Sequence, residues 1–525
     1  MSFRLPRAQH LIWLIALAAL AATIPLLAAD ARARLLAANT VWLAGTVATA
    51  SVALGAPLAF LLGRTDVRGR NLLAILLLTL LFTPLYLQAA AWEAGFGLQG
   101  WFTSMVGGPV LLEGWRGAIA VHTFAAIPWV TLIVGVGLRL AEPELEEEAL
   151  LDGTPGQVFW HVTLRRAASA VAAAFLWVAI STAGEMTVTD LFQIRTYAEE
   201  IYTEFALGDS PTSAPWNLVP NLIATVWVIA AGLMLVSWLI PSDRHTTQRK
   251  IRPFRLGRWR WPASILAATM VALLVGGPIG GLVAKTGIVV TRGAGGLDRS
   301  WSAEQCAAMV LESPQRFARE FFWSSIIGVL AATAAVVIGL GLAWSARRGG
   351  RRAVPAWMVI ALTLALPGPL IGLGLIAVFS AADWPWLTWL YDRSIAAVTI
   401  AQAVRALPLC TLVLWYALRT VPEEHLDSAT LEGASALTRF FRIALPQRWP
   451  AVAAAWLVGL AIAWGELSAS ILVVPPGVTT LPIQIFGLIH YGVDDRVAGV
   501  SLAVIAIFAA LAVLLAALAR AADRP

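Results

Sequence analysis

Few side chains in this sequence stand where they could do chemistry. The closest approach to a phosphate-binding loop is GGLVAKT at 280–286. A Walker A loop needs glycine immediately before its lysine and again five residues earlier. Ala284 and Ile279 occupy those places, so the match fails. The histidines are scattered without ligand spacing, and the two cysteines, Cys306 and Cys410, are far apart, which leaves no metal site and no disulfide framework to read. Three charged residues do stand in apolar surroundings: Glu185 and Glu466, each preceded by glycine, and Arg405. A charge at membrane depth is costly and usually faces protein or water. No catalytic residue and no cofactor held by this chain are expected from such a set.

The elements that must position these residues follow from composition. Of 525 residues, 59% are hydrophobic and only 13% charged, whereas a soluble protein carries roughly a quarter charged residues. The apolar residues fall in blocks of about 20, enough to cross a hydrocarbon core of about 30 Å. The sequence therefore reads as an all-α polytopic membrane protein of about twelve spans: 11–29, 38–62, 72–92, 118–138, 168–187, 218–240, 262–284, 321–345, 355–380, 395–418, 450–474 and 497–519. The net charge of +6 does not point to nucleic acid, because arginine and lysine cluster in short loops beside the spans. They favour 1–10, 63–71, 139–167, 241–261, 346–354, 419–449 and 520–525, which places those segments and both termini in the cytoplasm. The start, MSFRLPRAQHLIWLIALAALAA, shares features with a signal peptide, but its long apolar run reads better as an uncleaved span. Trp101, Trp115, Trp384, Trp386 and Trp389 beside outward loops fit an aromatic belt in contact with lipid. Pro84, Pro128, Pro367, Pro369 and Pro408 inside spans read as kinks.

The chain repeats itself. STAGEMTVTDLF at 181–192 parallels IAWGELSASILV at 462–473, and HTFAAIPWVTL at 122–132 parallels QAVRALPLCTL at 402–412. Six spans per half make these parallel repeats. The halves are 1–245 (core about 38–240) and 262–525 (core about 321–519), joined by a basic linker at 246–261. By the same correspondence Arg405 matches neutral Ala125, so it belongs to no symmetric site and a structural pairing suits it best. Glu185 and Glu466 occupy equivalent places at the outer ends of their spans. They line a pathway or its external gate, or else they sit at the headgroup boundary.

Two polar loops stand out, 144–166 and 423–446. In DSATLEGASALTRFFRIALP, Leu426, Ala429, Gly433, Leu437, Phe440 and Ala444 form one helical stripe interrupted by glycine. This predicts two short amphipathic helices with a bend at Gly433 and a return to the membrane at Pro446. The segment resembles the EAA loop of ABC importer permeases. Asp427, Ser428 and Ala429 fall on the EAA positions, Gly433 on the glycine, and Ile443, Leu445 and Pro446 on the closing Ile-x-Leu-Pro. In EEALLDGTPGQVFWHVTLRR, Glu147, Glu148, Ala149 and Gly153 match the opening, and Val162 and Leu164 the close. There the interval after the glycine is one residue shorter and Arg165 replaces the proline.

The resemblance implies that both loops dock onto ATP-binding-cassette ATPase subunits, two copies on separate chains, which bind the ATP. It also implies a periplasmic solute-binding protein as partner, a bacterial inner-membrane location and alternating access. LAFLLGRTDVRGRNLLAILLLTLLFTPLYLQAAAW and GEMTVTDLFQIRTYAEEIYTEF resemble fused two-half permeases of the ferric-iron type. Ferric iron is the expected cargo, with thiamine, polyamine or sulfate as alternatives. An ion-coupled secondary transporter would want titratable groups near the midplane, which are scarce here.

Overall fold

The computed structural model describes residues 31–139, 143–206 and 254–522, apart from 99, 294–295, 351–352, 381–383 and 494. The expected spans 11–29 and 218–240, both termini and the first part of the linker lie outside the described residues. Among the described residues seven helices are long and apolar enough to cross a membrane, or ten spans if each bent pair counts once. The all-α polytopic reading holds, with one small addition. Residues Ile288–Gly293 and Gly296–Trp301 pair as an antiparallel hairpin, followed by an amphipathic helix, Ala303–Arg316.

Three helices of each half pack pairwise into a core of their own: Ala31–Arg64 (α1), Gly114–Arg139 (α2) and Leu164–Ala183 (α3) in the first, Ala318–Ala346 (α4), Ala396–Arg419 (α5) and Trp449–Gly465 (α6) in the second. The sequence rule inverts that of soluble helices. Along α4 the buried stripe is mostly small residues, Gly328, Ala331, Ala332, Ala335, Gly339 and Ala343, with Ile327 and Val336 among them. Phe322, Leu330, Val337 and Ile338 point away from the protein. Hydrocarbon is as apolar as leucine, so large side chains gain nothing by turning inward, and small ones let backbones approach. A Cβ on Gly459 of α6 would lie 2.8 Å from Cys410 Sγ and 3.4 Å from Ala332 Cα.

Packing groups the chain into two compact units, Met1–Leu81 with Pro109–Gly280, and Phe82–Gly108 with Gly281–Pro525. Segments have thus been exchanged between the sequence halves. In the first unit Ala267, Val271 and Leu274, from the helix that follows the linker, bury against Leu58, Leu73, Leu77 and Ile127. In the second, Leu85–Phe96 packs on Leu481–Ile489 and Asp495–Ala522.

Three expected spans are not single helices, the run 450–474 ending its helix at Gly465. The run 72–92 stops at Phe82 and restarts at Leu85, and 355–380 stops at Ala365 and restarts at Gly368, bending by 106°. Pro84 and Pro367 occupy the two breaks, where a ring without an N–H and a clash with the preceding turn end the ladder. Pro128 and Pro408 stay inside α2 and α5. The carbonyl before each breaking proline finds a side-chain donor: Gln88 Nε2 to Thr83 O at 2.8 Å, and Arg405 Nη1 to Leu366 O at 3.4 Å.

The packing rule has a measurable consequence. Gly459→Leu should cost about 1–3 kcal/mol through overpacking and lower the melting temperature of the detergent-solubilised protein. Ile338→Ala, which faces away from the core, should stay within about 0.5 kcal/mol of the native value.

Candidate functional site: two docking loops and two capped turns

The second polar loop is two short helices, as its sequence implies, but the apolar stripe is not continuous. Helix Glu423–Leu431 ends in a Schellman motif: Gly433 N–H donates to Thr430 O at 3.0 Å and Ala434 N–H to Ala429 O at 2.9 Å. Gly433 has φ +83°, the left-handed region, and a Cβ there would meet nothing within 4 Å of this chain. Glycine is therefore used for backbone conformation, with open space beyond it. Ser435 then caps Ala436–Arg439 by accepting the Thr438 N–H at 3.2 Å. Leu426, Phe440 and Ala444 are buried, whereas Leu437 is exposed, because the bend at Gly433 turns it off the stripe.

Arg439 ties the two helices by donating to Thr430 Oγ1 at 2.6 Å, and Gln447 Nε2 lies 3.2 Å from His425 Nδ1. Between helix and return segment lies a hollow of about 450 Å³ lined by His425, Ala429, Glu432, Arg442, Ile443 and Gln447. Asp427 is exposed and lies 3.8 Å from Arg348. Burial and the neighbouring Arg348 hold the Arg347 guanidinium below its ordinary value, with Glu423 and Asp427 pulling the other way. Ile443 and Leu445 pack on the core beneath, and Pro446 is exposed. The chain breaks at Arg448, past Pro446, and enters α6 at a bend of 81°.

The first loop has the same plan with different joints. Pro143–Asp152 carries exposed Glu147 and Glu148 and half-buried Ala149. Thr154 and Gln157 form a reciprocal cap, Thr154 N–H to Gln157 Oε1 at 2.9 Å and Gln157 N–H to Thr154 Oγ1 at 3.4 Å. Gly153 does not adopt a positive φ, so its match to Gly433 is one of position and not of conformation. With Arg165 in place of proline, Gly156–Ala183 runs as one span without a break. Both loops pass through a π-helical turn at matching places, Phe159–Thr163 and Phe440–Ala444.

Sequence reasoning missed four exposed apolar side chains on these loops. Leu151 and Leu431 are 85% and 89% exposed, and Trp160 and Phe441 are 64% and 58% exposed. Each pair falls at one position of the repeat, the leucine two residues before the glycine and the aromatic one residue into the π turn. Superposing the two motifs in the sequence would have revealed both pairs.

Glu185 and Glu466 also share one task, each carboxylate taking two backbone amides of the turn after it, shifted by one residue between the halves. Glu185 Oε1 accepts the Thr187 N–H at 2.7 Å and Oε2 the Val188 N–H at 3.0 Å. Glu466 Oε1 and Oε2 accept Ala469 and Ser470 N–H at 2.7 and 3.0 Å. Thr189 and Ser470 hydroxyls turn back onto the glutamates' own carbonyls. Each carboxylate thus organises the turn that follows its core helix. His122 Nε2 lies 3.7 Å from Glu185 Oε2. The turn after Glu466 seats against Gly368 and Gly372, where a Cβ would approach Ser468 Cβ to 2.3 Å and Ala469 O to 2.9 Å.

A family model described as "Binding-protein-dependent transport system inner membrane component" matches residues 55–244 and again 335–524. The chain belongs to that family. The permease is 22% identical over 464 residues to the Fe(3+)-transport system permease protein FbpB 2 of Haemophilus influenzae, covering 86% of this chain and 83% of that one. It is 29% identical over 176 residues to the putrescine transport system permease protein PotI of Escherichia coli (strain K12), covering 33% and 62%. A putative 2-aminoethylphosphonate transport system permease protein, PhnV of Salmonella paratyphi A, is 29% identical over 171 residues, covering 32% and 62%. The permease therefore spans less than two thirds of the length of these last two relatives. The double match reproduces the repeat, one copy of the family's domain in each half.

The conformation of Gly433 can be tested apart from its exposure. Gly433→Val should destabilise the end of Glu423–Leu431 by about 1–2 kcal/mol and speed amide exchange there by about tenfold or more. Gly433→Asn, which tolerates the left-handed region, should leave exchange near the native rate.

Proposed function

We propose that this permease forms the translocation pathway of a bacterial inner-membrane ABC importer and that loops 144–166 and 423–446 are its two ATPase contacts. ATP is hydrolysed by two separate ATPase subunits on the cytoplasmic side, where both termini also lie, and a periplasmic binding protein delivers the solute. The observation that carries this reading is the matched exposure of Leu151 with Leu431 and of Trp160 with Phe441, at equivalent places of two loops that also hold out Leu150 and Leu437. Apolar groups held out at equivalent places on two otherwise different loops fit two copies of one partner. ATP binding to that partner shifts the permease between its two states only as far as the partner prefers one of them.

Ferric iron is the cargo this reading adopts. The similarity to the Fe(3+)-transport relative runs through both halves, whereas those to the putrescine and 2-aminoethylphosphonate relatives each cover a third of the chain. Glu185 and Glu466 act at the gate by fixing the turns that border it.

Three measurements bear on these statements. In the reconstituted importer, Leu151→Glu with Leu431→Glu should release the ATPase subunit and abolish stimulated hydrolysis while leaving the permease monodisperse; retained stimulation would remove the docking role. Glu185→Gln with Glu466→Gln gives up a charge-assisted bond of about 1.5–3 kcal/mol at each turn, so uptake should fall by about tenfold or more; unchanged uptake would return both residues to the headgroup boundary. Proteoliposomes should accumulate ferric iron in preference to putrescine, 2-aminoethylphosphonate, thiamine and sulfate.

A further inference from the structure

The two docking loops are fastened to the membrane core by different physical means. Beneath the first loop lies a buried polar cluster. Arg64, the last residue of α1, is 1% exposed and forms an ion pair with Glu146 Oε2, itself 7% exposed. Arg64 also donates from Nη1 to Leu138 O at 3.2 Å, at the end of α2. Thr163 Oγ1, in the first π turn, donates to Glu146 Oε1 at 2.8 Å. Both oxygens of Glu146 are therefore engaged, and one carboxylate joins the docking helix, α1 and the start of α3. The Arg64 guanidinium carbon stands 5.4 Å from the Phe254 ring centre, and Arg64 O accepts the Phe254 N–H at 2.7 Å. The end of the linker closes the cluster from outside.

The repeat allows each member to be compared with its counterpart. The interval that carries residue 55 onto 335 in the family match carries Arg64 onto Trp344 and Glu146 onto Leu426. The π turns align Thr163 with Ala444. Ion pair and hydroxyl have become tryptophan, leucine and alanine. Leu426 and Ala444 are fully buried in one apolar cluster, Trp344 packs against it, and the Trp344 and Phe440 rings are 5.1 Å apart. The two seats fill the same place with opposite chemistry. An apolar seat can slide and repack. A buried ion pair cannot, because separating its members strands a charge.

We propose that Arg64 is the positioning residue of the first docking loop: through Glu146 it locks helix Pro143–Asp152 to the end of α1, so that displacement of the loop is passed to that helix as a rigid movement. The proposal rests on the reading of the loops as ATPase contacts only for its functional readout. It places the directional, low-slip connection on the first loop and the compliant one on the second.

The test uses the full permease in lipid nanodiscs, alone and with the co-purified ATPase subunit. Arg64→Met should speed amide exchange across 143–152 by about tenfold while 423–431 is unaltered, and should cut the stimulation of ATP hydrolysis by about tenfold, within the range of ordinary coupling energies. Arg64→Trp with Glu146→Leu and Thr163→Ala, which installs the second loop's solution, should bring exchange back to within about threefold of native. Native exchange in Arg64→Met, or altered exchange with native stimulation, would overturn the proposal. Should Arg64→Met fail to reach the membrane, Arg64→Lys decides. It keeps the charge but loses the fork that reaches both Glu146 and Leu138, and native exchange together with native stimulation in that variant would equally overturn it. If no ATPase subunit binds even the native permease, the docking reading falls, while the exchange measurements still judge the lock.

Discussion

A backbone that stops being helical inside hydrocarbon leaves amides and carbonyls with no water to turn to, and each such group costs several kcal/mol if left bare. This permease interrupts its helices repeatedly, and the charged and amide side chains of its apolar zone are spent on the consequences. Gln88 and Arg405 answer the carbonyls ahead of Pro84 and Pro367. Glu185 and Glu466 answer the amides beyond Gly184 and Gly465. Four polar residues that look anomalous in an apolar sequence thus share one cause.

The same constraint links structure to transport. A turn held by a carboxylate is specific in shape yet free of the regular ladder that makes a helix stiff. Placed against Gly368 and Gly372, where backbones approach closely, the turn after Glu466 joins a broken helix to the end of a core helix. Beside it stand the unbroken helices α4, α5 and α6, which pack on one another through faces rich in alanine and glycine. Corners fastened individually between packed helices keep their shape without a continuous hydrogen-bond ladder.

Much of this was legible in the sequence. Block length located the described spans to within several residues, because hydrocarbon thickness leaves little freedom. The repeat and both polar loops could be read because acidic residues are rare enough here to be noticed and glycine and proline recur at fixed spacings beside them. Two kinds of information were hidden. Runs such as 355–380 are apolar throughout, so nothing in their hydropathy marks a bend of 106°. Arg64 reads as one more topology-setting charge and Glu146 as the first of three consecutive glutamates. Only tertiary packing separates the glutamate that turns inward from the two that face water. The stripe in the second loop failed at Leu437 for a related reason, since a period counted through a left-handed glycine no longer describes one helix.

The exchange of segments between halves bears on how the molecule is made. Leu85–Phe96 leaves the ribosome long before the helices it packs on, Leu481–Ile489 and Asp495–Ala522. The first unit in turn stays open until Ala267, Val271 and Leu274 have crossed beyond the linker. Neither unit can mature on its own schedule. Nascent permease must hold an unfinished helical segment in the bilayer until those later helices have been made, and quality control that samples such intermediates will meet this chain in a half-assembled form.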